Sequence, residues 1–319
     1  MKKHTFIIVI SRYCSVLYFM IFLLTSCSID DGREECPDGL WVTFKNKYAT
    51  QQRSGTVDQV DLFVFDGQGT LCLHDTEYEV PIDGSSRKRL WINPGNYTFV
   101  AWTGFSEGNT YSSEDFIIGQ TRMDELKVKL SHIDDNIVNY RPGLLLNATV
   151  NEIPVKLKHN EEVTMPMVQL NNQVNVIVRQ KGAKEANGAG FSSLELNITD
   201  NNSSYFFDNR LDESVPEFQY VPFFSKKELE IIDCDFYVLK LQERTNEPVL
   251  TIYDPSQDKY ILKNNLIDLI RKVNEIYGSQ IDLERDTYFK VEVTLDQTYV
   301  IYSIAINGWV IVKQGAVVG

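Results

Sequence analysis

The chain has little of the chemistry that metal proteins and most enzymes use. Its 319 residues include only five cysteines and four histidines. The cysteines form no CxxC pair, and the histidines lie apart from one another and from cysteines at metal-binding spacing, although His74 is close to Cys72. Glycine loops of the phosphate-binding or dinucleotide-binding kind are absent as well. The sequence therefore predicts no metal site and no cofactor.

Positive charge is also scarce. Lysine and arginine number 31 against 44 aspartates and glutamates, which gives a formal net charge of −13. An acidic surface repels phosphate backbones and anionic lipid head groups. We therefore expect no nucleic acid partner.

Long apolar runs are missing except at the start of the chain. Lys2, Lys3 and Arg12 form a basic beginning, and an apolar stretch over residues 16–24 follows. A membrane-spanning helix needs about 20 apolar residues, so this stretch is short for that role. Its order of basic and apolar parts is typical of an export signal.

The export signal ends in Leu24-Thr25-Ser26-Cys27, which resembles the bacterial lipobox. The pattern predicts a signal peptide over residues 1–26 and a lipid on the thiol of Cys27, which tethers the protein without spanning the membrane. Ser28-Ile29-Asp30-Asp31 resembles the acidic tag that directs Bacteroidetes lipoproteins to the cell surface. An ordinary secretory signal with a chance cysteine, or a signal anchor, is the alternative.

Three cysteines remain in the mature chain: Cys36, Cys72 and Cys234. They allow at most one intramolecular disulfide. Cys36 with Cys72 is the favoured pair because both lie in or beside one predicted domain. Three free, buried cysteines are an equal alternative.

The mature length and the strand pattern predict two β-rich domains. We expect a tether over residues 27–37, an N-terminal β-sandwich over 38–158 and a C-terminal β-sandwich over 159–319, with the boundary in the polar stretch 156–162. Short alternating runs between turns predict strands at 40–45, 57–65, 71–73, 97–102, 126–130, 144–150, 163–170, 174–178, 194–198, 236–241, 250–253, 288–293 and 299–312.

Two turns and one helix stand out. Asp66-Gly67-Gln68-Gly69 predicts a hairpin, and Asn93-Pro94-Gly95-Asn96 predicts a turn in which Gly95 is free to adopt a positive φ. Apolar residues at helical spacing predict a helix from about Asn265 to Tyr277, ended by Gly278. The expected fold is all-β with one short helix in the second domain.

Candidate catalytic patterns are weak. Gly104-Phe105-Ser106-Glu107-Gly108 matches a nucleophile elbow, but the residues that follow begin a helix poorly, so a glycine-rich loop is the preferred interpretation. The oxygen-rich loops at 131–136 and 200–202 lack the spacing of a calcium site. Arg87-Lys88-Arg89 is interpreted as an exposed hairpin tip, with a trypsin-like cleavage site as the alternative.

Several of these features together resemble the FimB-type anchor subunits of Bacteroidetes fimbriae, the fimbrillin-A-associated anchor proteins. They are the lipobox cysteine, Cys36-Pro37, the strand and turn over 60–69, the segment 93–102 and the terminal segment 304–312. Within them Gly95, Tyr97, Trp102 and Trp309 are interpreted as turn and core residues that identify the family without forming a binding site.

The resemblance implies two tandem transthyretin-like β-sandwiches in a non-enzymatic surface lipoprotein of the outer membrane. Such a protein anchors a fimbrium, helps to end or limit its growth, and binds stalk subunits by strand addition. Two other functions compete with it. One is a surface lipoprotein that binds glycans or other nutrients, with Trp41 or Trp91 stacking on sugars; the other is a hydrolase that uses Ser106 or a pair of carboxylates.

Overall fold

The computed structural model describes residues 39–48, 55–106, 110–131, 136–156, 161–182, 191–228 and 230–313. The predicted signal peptide, Cys27, the tether and Cys36 lie outside these residues. So do His132, His159, most of the oxygen-rich loop 131–136 and part of the polar stretch 156–162.

The described residues form 21 strands and one α-helix, α1 (Leu266–Tyr277). The strands are β1 (Leu40–Asn46), β2 (Thr56–Asp66), β3 (Leu71–Pro81), β4 (Asp83–Leu90), β5 (Gly95–Trp102), β6 (Tyr111–Ser113), β7 (Lys127–Leu130), β8 (Ile137–Val138), β9 (Leu146–Val155), β10 (Glu161–Gln169), β11 (Asn171–Gln180), β12 (Glu195–Asp200), β13 (Ser204–Phe206), β14 (Phe218–Tyr220), β15 (Phe224–Lys227), β16 (Ile231–Leu239), β17 (Val249–Asp254), β18 (Lys259–Asn265), β19 (Tyr288–Leu295), β20 (Ile301–Ile306) and β21 (Trp309–Lys313). The prediction of an all-β fold with one helix is confirmed.

The first sheet has seven strands in the order β3-β2-β5-β9-β10-β1-β4. Its two edge strands approach each other, because Lys88 on β4 makes ion pairs with Asp75 (2.9 Å) and Glu77 on β3. The sheet therefore rolls up around an interior. That interior is a core of aliphatic and aromatic side chains that include Val42, Phe44 and Leu62.

The strand β2 is buried on both faces, which explains its nearly continuous apolar sequence. Leu62 and Val64 point into the core of the rolled sheet. Phe63 and Phe65, on the opposite face, belong to a second and larger core. Alternation along a strand sends successive side chains to opposite faces, so β2 joins the two cores.

The second half of the chain contributes a six-stranded sheet, β15-β16-β11-β19-β20-β21, and four strands of a five-stranded sheet, β18-β17-β12-β14-β8, whose last strand comes from the first half. Their inner faces and α1 share the larger core. Strands of both halves also pair directly: β7 pairs with β13, and β8 pairs with β14. The two halves are therefore interlocked by backbone hydrogen bonds as well as by packing.

The division into domains at residue 158 remains a prediction. Hydrogen bonding places β10, which the sequence assigned to the second domain, in the first sheet between β1 and β9. The chain then passes directly into β11 of the six-stranded sheet at Leu170.

The helix α1 has the limits that its sequence predicts. The side chain of Asn265 caps it by accepting hydrogen bonds from the backbone N–H groups of Ile267 (2.8 Å) and Asp268 (3.1 Å). Gly278 ends it with a φ of +78°. Leu266, Ile270 and Val273 are buried against the core. Among the described residues, no helix is long and apolar enough to cross a membrane.

Three local predictions were wrong. Residues 299–312 do not form one long segment, because Asn307 and Gly308 take positive φ values and turn the chain between β20 and β21. Arg87-Lys88-Arg89 is not a hairpin tip; it lies within β4 and pairs with β1. Gly95 is not among the residues with positive φ.

The Asp66 hairpin is confirmed. The backbone N–H of Gly69 donates to the carbonyl of Asp66 at 2.9 Å, and the Asp66 carboxylate accepts from the N–H groups of Gln68 and Thr70. Asp66 thus holds the turn that joins β2 to β3.

Candidate functional site

The most accessible edge of the second half is β15, the first strand of the six-stranded sheet. Hydrogen bonds to β16 use one side of β15, and no other strand of the described residues covers its second side. All four of its residues are exposed. An open strand edge of this kind presents backbone donors and acceptors to a partner.

Exposed aromatic rings lie at this edge and on the sheet behind it. Phe223 and Phe224 are 52% and 50% exposed, and Tyr288 on β19 is 48% exposed. The ring of Phe223 contacts that of Tyr237 edge to face at a centroid distance of 5.6 Å. The guanidinium of Arg141 lies 4.6 Å from the Tyr237 centroid. We call β15 with these rings and Arg141 the edge surface.

A cavity of about 600 Å³ opens beside the edge surface. Arg141, Tyr237 and Tyr288 line it, together with the amides of Gln169, Asn171, Asn172 and Gln173. Partial burial, followed by the charge of Asp235, raises the pKa of Tyr288. Aromatic rings and amide side chains of this kind suit a polypeptide segment that is uncharged or of mixed polarity.

Two asparagines on β11 hold this cavity in shape. The amide oxygen of Asn171 accepts from the N–H of Leu145 at 3.0 Å, and its nitrogen donates to the hydroxyl of Tyr111 at 3.0 Å. The Asn172 oxygen accepts from the N–H of Leu241 at 2.7 Å. These hydrogen bonds connect the start of β11, where the chain passes from the first sheet to the six-stranded sheet, to residues of both halves of the chain.

A larger groove of about 1000 Å³ lies against α1. Its apolar part comes from Leu170, Ile267, Ile270 and Ile281, and its charged rim includes both signs. Lys240 lines it but is only 4% exposed, and its Nζ donates to the carbonyl of Glu284 at 2.8 Å. Burial lowers the pKa of Lys240 to about 8.

Among the described residues, neither cavity is lined by histidine or cysteine, the side chains that most often ligate zinc or act in nucleophile–base pairs. In the part of the chain that the structure describes, no group of three or more His, Cys, Asp or Glu side chains could hold a metal ion. The open edge and the aromatic rings are suited to binding a polypeptide.

The predicted turn and core residues fall in different places. Trp102 is fully buried and contacts Phe207 and Tyr205 of the second half at centroid distances of 6.2 and 6.5 Å. Trp309 is 37% exposed on β21 and packs against Tyr277 of α1 at 4.8 Å. The structure therefore does not gather these residues into one site.

Gly95 and Tyr97 lie together, for a reason the sequence did not give. The Tyr97 hydroxyl donates to the carbonyl of Asn93 at 2.8 Å, which folds its ring over the turn. A Cβ on Gly95 would lie 3.1 Å from that ring. Glycine is needed here for the close approach of the tyrosine rather than for a positive φ.

The predicted disulfide stays a prediction, because Cys36 lies outside the described residues. The thiol of Cys72 is exposed and donates to the carbonyl of Val64 at 3.1 Å, and Cys234 is buried. These two cysteines are not bonded to each other.

The weak catalytic patterns do not converge. Gly104 is buried with a φ of +101°, and the next regular element described after Ser106 is the strand β6 rather than a helix. Asp200, in one oxygen-rich loop, forms a buried ion pair with Arg244, whose pKa burial lowers to about 10. His74 hydrogen-bonds to Asp61 at 2.9 Å and stacks on Phe63 at 4.5 Å.

Sequence reasoning missed β15 and the edge surface. The segment Phe224-Ser225-Lys226-Lys227 has neither a clear alternation nor enough apolar length to indicate a strand. Its nearest sequence signal is the pair of phenylalanines beside Pro222, which no helix or strand pattern accounts for.

Fold and site together define a class: an all-β binding or assembly protein made of packed sheets with an open, aromatic edge. The family model of fimbrillin-A associated anchor proteins Mfa1 and Mfa2 matches residues 33–315. The chain therefore belongs to this family, which is a structural fimbrial family rather than an enzyme family.

Individual relatives agree with this placement. The minor fimbrium anchoring subunit Mfa2 of Porphyromonas gingivalis is 23% identical over 310 residues, which is 90% of each chain. The solved structure of the fimbrial anchor protein Mfa2 from that organism superposes with a TM-score of 0.72 at 19% identity, over 87% of this chain and all of that one (100%). A candidate adhesin from Bacteroides thetaiotaomicron gives a TM-score of 0.73 at 19% identity, over 88% and 99%.

Proposed function

We propose that this chain is a lipoprotein, held in the outer membrane through Cys27 and exposed at the cell surface, that anchors a fimbrium and limits its growth. The observation that carries the proposal is the family match over residues 33–315, which starts shortly after Cys27 and covers nearly all of the mature chain.

A lipid on Cys27 would supply the hold that anchoring needs. Each buried methylene of an acyl chain contributes about 0.8 kcal/mol, so a multiply acylated cysteine stays in the membrane. The interlocked halves suit the same task. Since β7 pairs with β13 and β8 with β14, a pulling force meets backbone hydrogen bonds between the halves.

The stalk subunit is proposed to bind at the edge surface by strand addition. An extended segment would hydrogen-bond along β15, while its side chains contact Phe223 and Phe224. The ring of Phe223 packs on Tyr237, which lines the adjoining cavity. Lys226 and Lys227 on β15 disfavour pairing between two copies of this edge. They favour an incoming strand that carries acidic residues.

The same arrangement of an open strand edge on a tethered subunit would limit the growth of the fimbrium. A subunit that accepts a strand but stays bound to the lipid surface ends the fibre at that point. Binding and tethering are enough for this role, and no catalytic step is required.

The substitution Phe224→Glu tests strand addition. Removing an exposed aromatic contact and adding a negative charge should weaken binding of purified stalk subunit roughly tenfold or more. The matched control is Tyr260→Glu, since Tyr260 is an equally exposed aromatic (57%) on a different edge strand, β18. Equal binding by both variants would overturn the assignment of this edge, provided circular dichroism shows both to be folded.

Glycan binding is the second candidate, because Trp91 is 60% exposed. However, the guanidinium of Arg89 lies 4.1 Å from the Trp91 centroid and covers one face of the ring. That charge suits a phosphate better than a neutral sugar.

A further inference from the structure

Two arginines and two tryptophans form a stacked cluster at the edge of the first sheet. The register of β4 on β1 places Arg89 opposite Trp41, and Arg87 lies two residues along on the same face. The guanidinium carbons of Arg87 and Arg89 lie 5.5 and 5.6 Å from the Trp41 centroid. Arg89 also stacks on Trp91. We call these four residues the arginine–tryptophan patch.

The patch is accessible and locally basic, although the whole chain is acidic. Arg87 and Trp91 are exposed, and the exposed Lys45 follows Trp41 on the same face of β1. Glu162 on β10 pairs with Arg87 at 2.8 Å, and Asp83 on β4 lies opposite Lys45 in the register of β4 on β1. Three positive charges against two negative charges leave the patch with one net positive charge.

The location of the patch, close to the segment that leads to Cys27, indicates which partner it contacts. Gly39, the first described residue, precedes β1 and lies against Arg89: a Cβ on Gly39 would be 3.2 Å from the Arg89 Nε. Eleven residues lie between Cys27 and Gly39, so the chain takes twelve Cα-to-Cα steps from one to the other. Even fully extended, that length reaches only about 40 Å. The proposed lipid is therefore tied close to this side of the molecule.

The chemistry of the patch matches a lipid head-group layer. Arginine binds phosphate oxygens through paired N–H donors, and stacking on tryptophan holds the guanidinium plane in place. Tryptophan prefers the membrane–water interface, where its ring is half in apolar surroundings. The net charge of −13 opposes a free approach to anionic lipids. Salt screens that repulsion beyond about 8–10 Å, and a tether replaces free approach with a high local concentration.

We infer that the arginine–tryptophan patch is a membrane-contact surface that binds the phosphate-bearing head groups of the lipid layer in which Cys27 is anchored. The inference rests on the proposed lipid anchor. It adds that the first sheet lies on the membrane, so the base of the fimbrium has a fixed orientation.

The test uses the full lipoprotein reconstituted into two kinds of vesicle, one of phosphatidylcholine alone and one that also contains anionic phosphatidylglycerol. Both contain lipids brominated near the head group, which quench tryptophan fluorescence on contact. Flotation reports attachment of the protein, and quenching reports whether the patch touches the lipid. Trp91→Phe identifies the part of the signal that comes from Trp91.

We expect quenching in the anionic vesicles, and the part of it that comes from Trp91 should be lost in Trp91→Phe. It should also fall in Arg87→Gln/Arg89→Gln, because each arginine near an anionic surface is worth roughly five-fold in occupancy. The matched control is Arg210→Gln. Arg210 is also exposed and lies 5.0 Å from an aromatic centroid, that of Phe206, in the second half of the chain. It should leave quenching unchanged.

The experiment distinguishes a failure of the membrane-contact inference from a failure of the proposed lipid anchor. If the lipoprotein floats with the vesicles but Trp91 is not quenched, the inference is wrong while the lipid anchor stands. If it does not float at all, the lipid anchor fails and the inference fails with it. If Trp91 fluorescence responds to soluble polysaccharide and not to either vesicle, the patch is a glycan site and the inference is overturned.

Discussion

Gly104 lies just after β5 on the path that leads out of the first sheet. Its φ of +101° is one that residues with a Cβ rarely adopt, and an added Cβ would lie 2.9 Å from Cδ2 of the buried Tyr111 and 3.2 Å from Leu145. The sequence marked this glycine through a nucleophile pattern. The structure gives it a packing role instead, which no one-dimensional spacing indicates.

The substitution Gly104→Ala should destabilise the protein by about 2–4 kcal/mol, from backbone strain together with overpacking. The matched control is Gly119→Ala. Gly119 also has a positive φ (+83°), but an added Cβ meets nothing within 4 Å, so this variant should show the strain alone. Urea denaturation measures both. Equal losses of stability would show that the contact with Tyr111 is unimportant.

Lys240 is the second informative residue, because it is a buried cation. Its pKa is about 8 in the folded protein against 10.5 as the reference value. Between these pH values the unfolded chain binds more protons than the native one, so the stability rises with pH in this window. Below pH 8 the side chain is charged in both the folded and the unfolded protein. The full cost of burying the ammonium group then lowers the free energy of unfolding.

We therefore expect Lys240→Met to be more stable than wild type at pH 7, by about 1–3 kcal/mol. The difference should shrink as the pH rises from 8 to 10.5. The matched control is Lys263→Met, which replaces an exposed lysine instead of a buried one. Denaturation at pH 7, 9 and 10.5 measures the difference, and a variant that is less stable by the same amount at every pH would contradict the account.

At the scale of elements, the sequence predicted those that carry their own pattern. The strands β1, β2 and β5 and the helix α1 were found because their apolar residues repeat with the correct period. The strands β4 and β15 were missed because their sequences, Asp83-Gly84-Ser85-Ser86 and Phe224-Ser225-Lys226-Lys227, are polar or irregular. These segments form strands because they pair with neighbouring strands, and their own composition does not indicate this.

The terminal hairpin is a different kind of failure. Asn307-Gly308 between two apolar runs is a strong hairpin signal, and both residues take the positive φ values that such a turn needs. This information was present in the sequence.

The cap of α1 gives a prediction at this scale. Replacing Asn265 with alanine removes two hydrogen bonds to orphan N–H groups and should cost about 1 kcal/mol. Asn264→Ala, one residue earlier on β18, is the matched control. Thermal unfolding followed by circular dichroism compares the two variants, and the cap assignment fails if Asn264→Ala costs as much.

For the whole molecule, the sequence predicted the all-β class and the family, and both are confirmed. The interlocking of the halves could not be predicted, because β7–β13 and β8–β14 pair residues that are distant in the chain. The edge surface depends on the same long-range pairing. The arginine–tryptophan patch needed the register of β4 on β1, which brings residues 41 and 89 together.

The proposed function joins a lipid tether to a fimbrial anchor, and loss of the lipidated cysteine tests both together. Wild type and Cys27→Ala are compared in the native cell, with outer-membrane retention and shed fimbriae followed together; Cys72→Ser, which leaves the lipobox intact, is the control. We predict that Cys27→Ala leaves the membrane and that long fimbriae appear in the medium, while the control behaves as wild type. A variant that leaves the membrane while fimbriae stay attached and normal in length would contradict the anchor function.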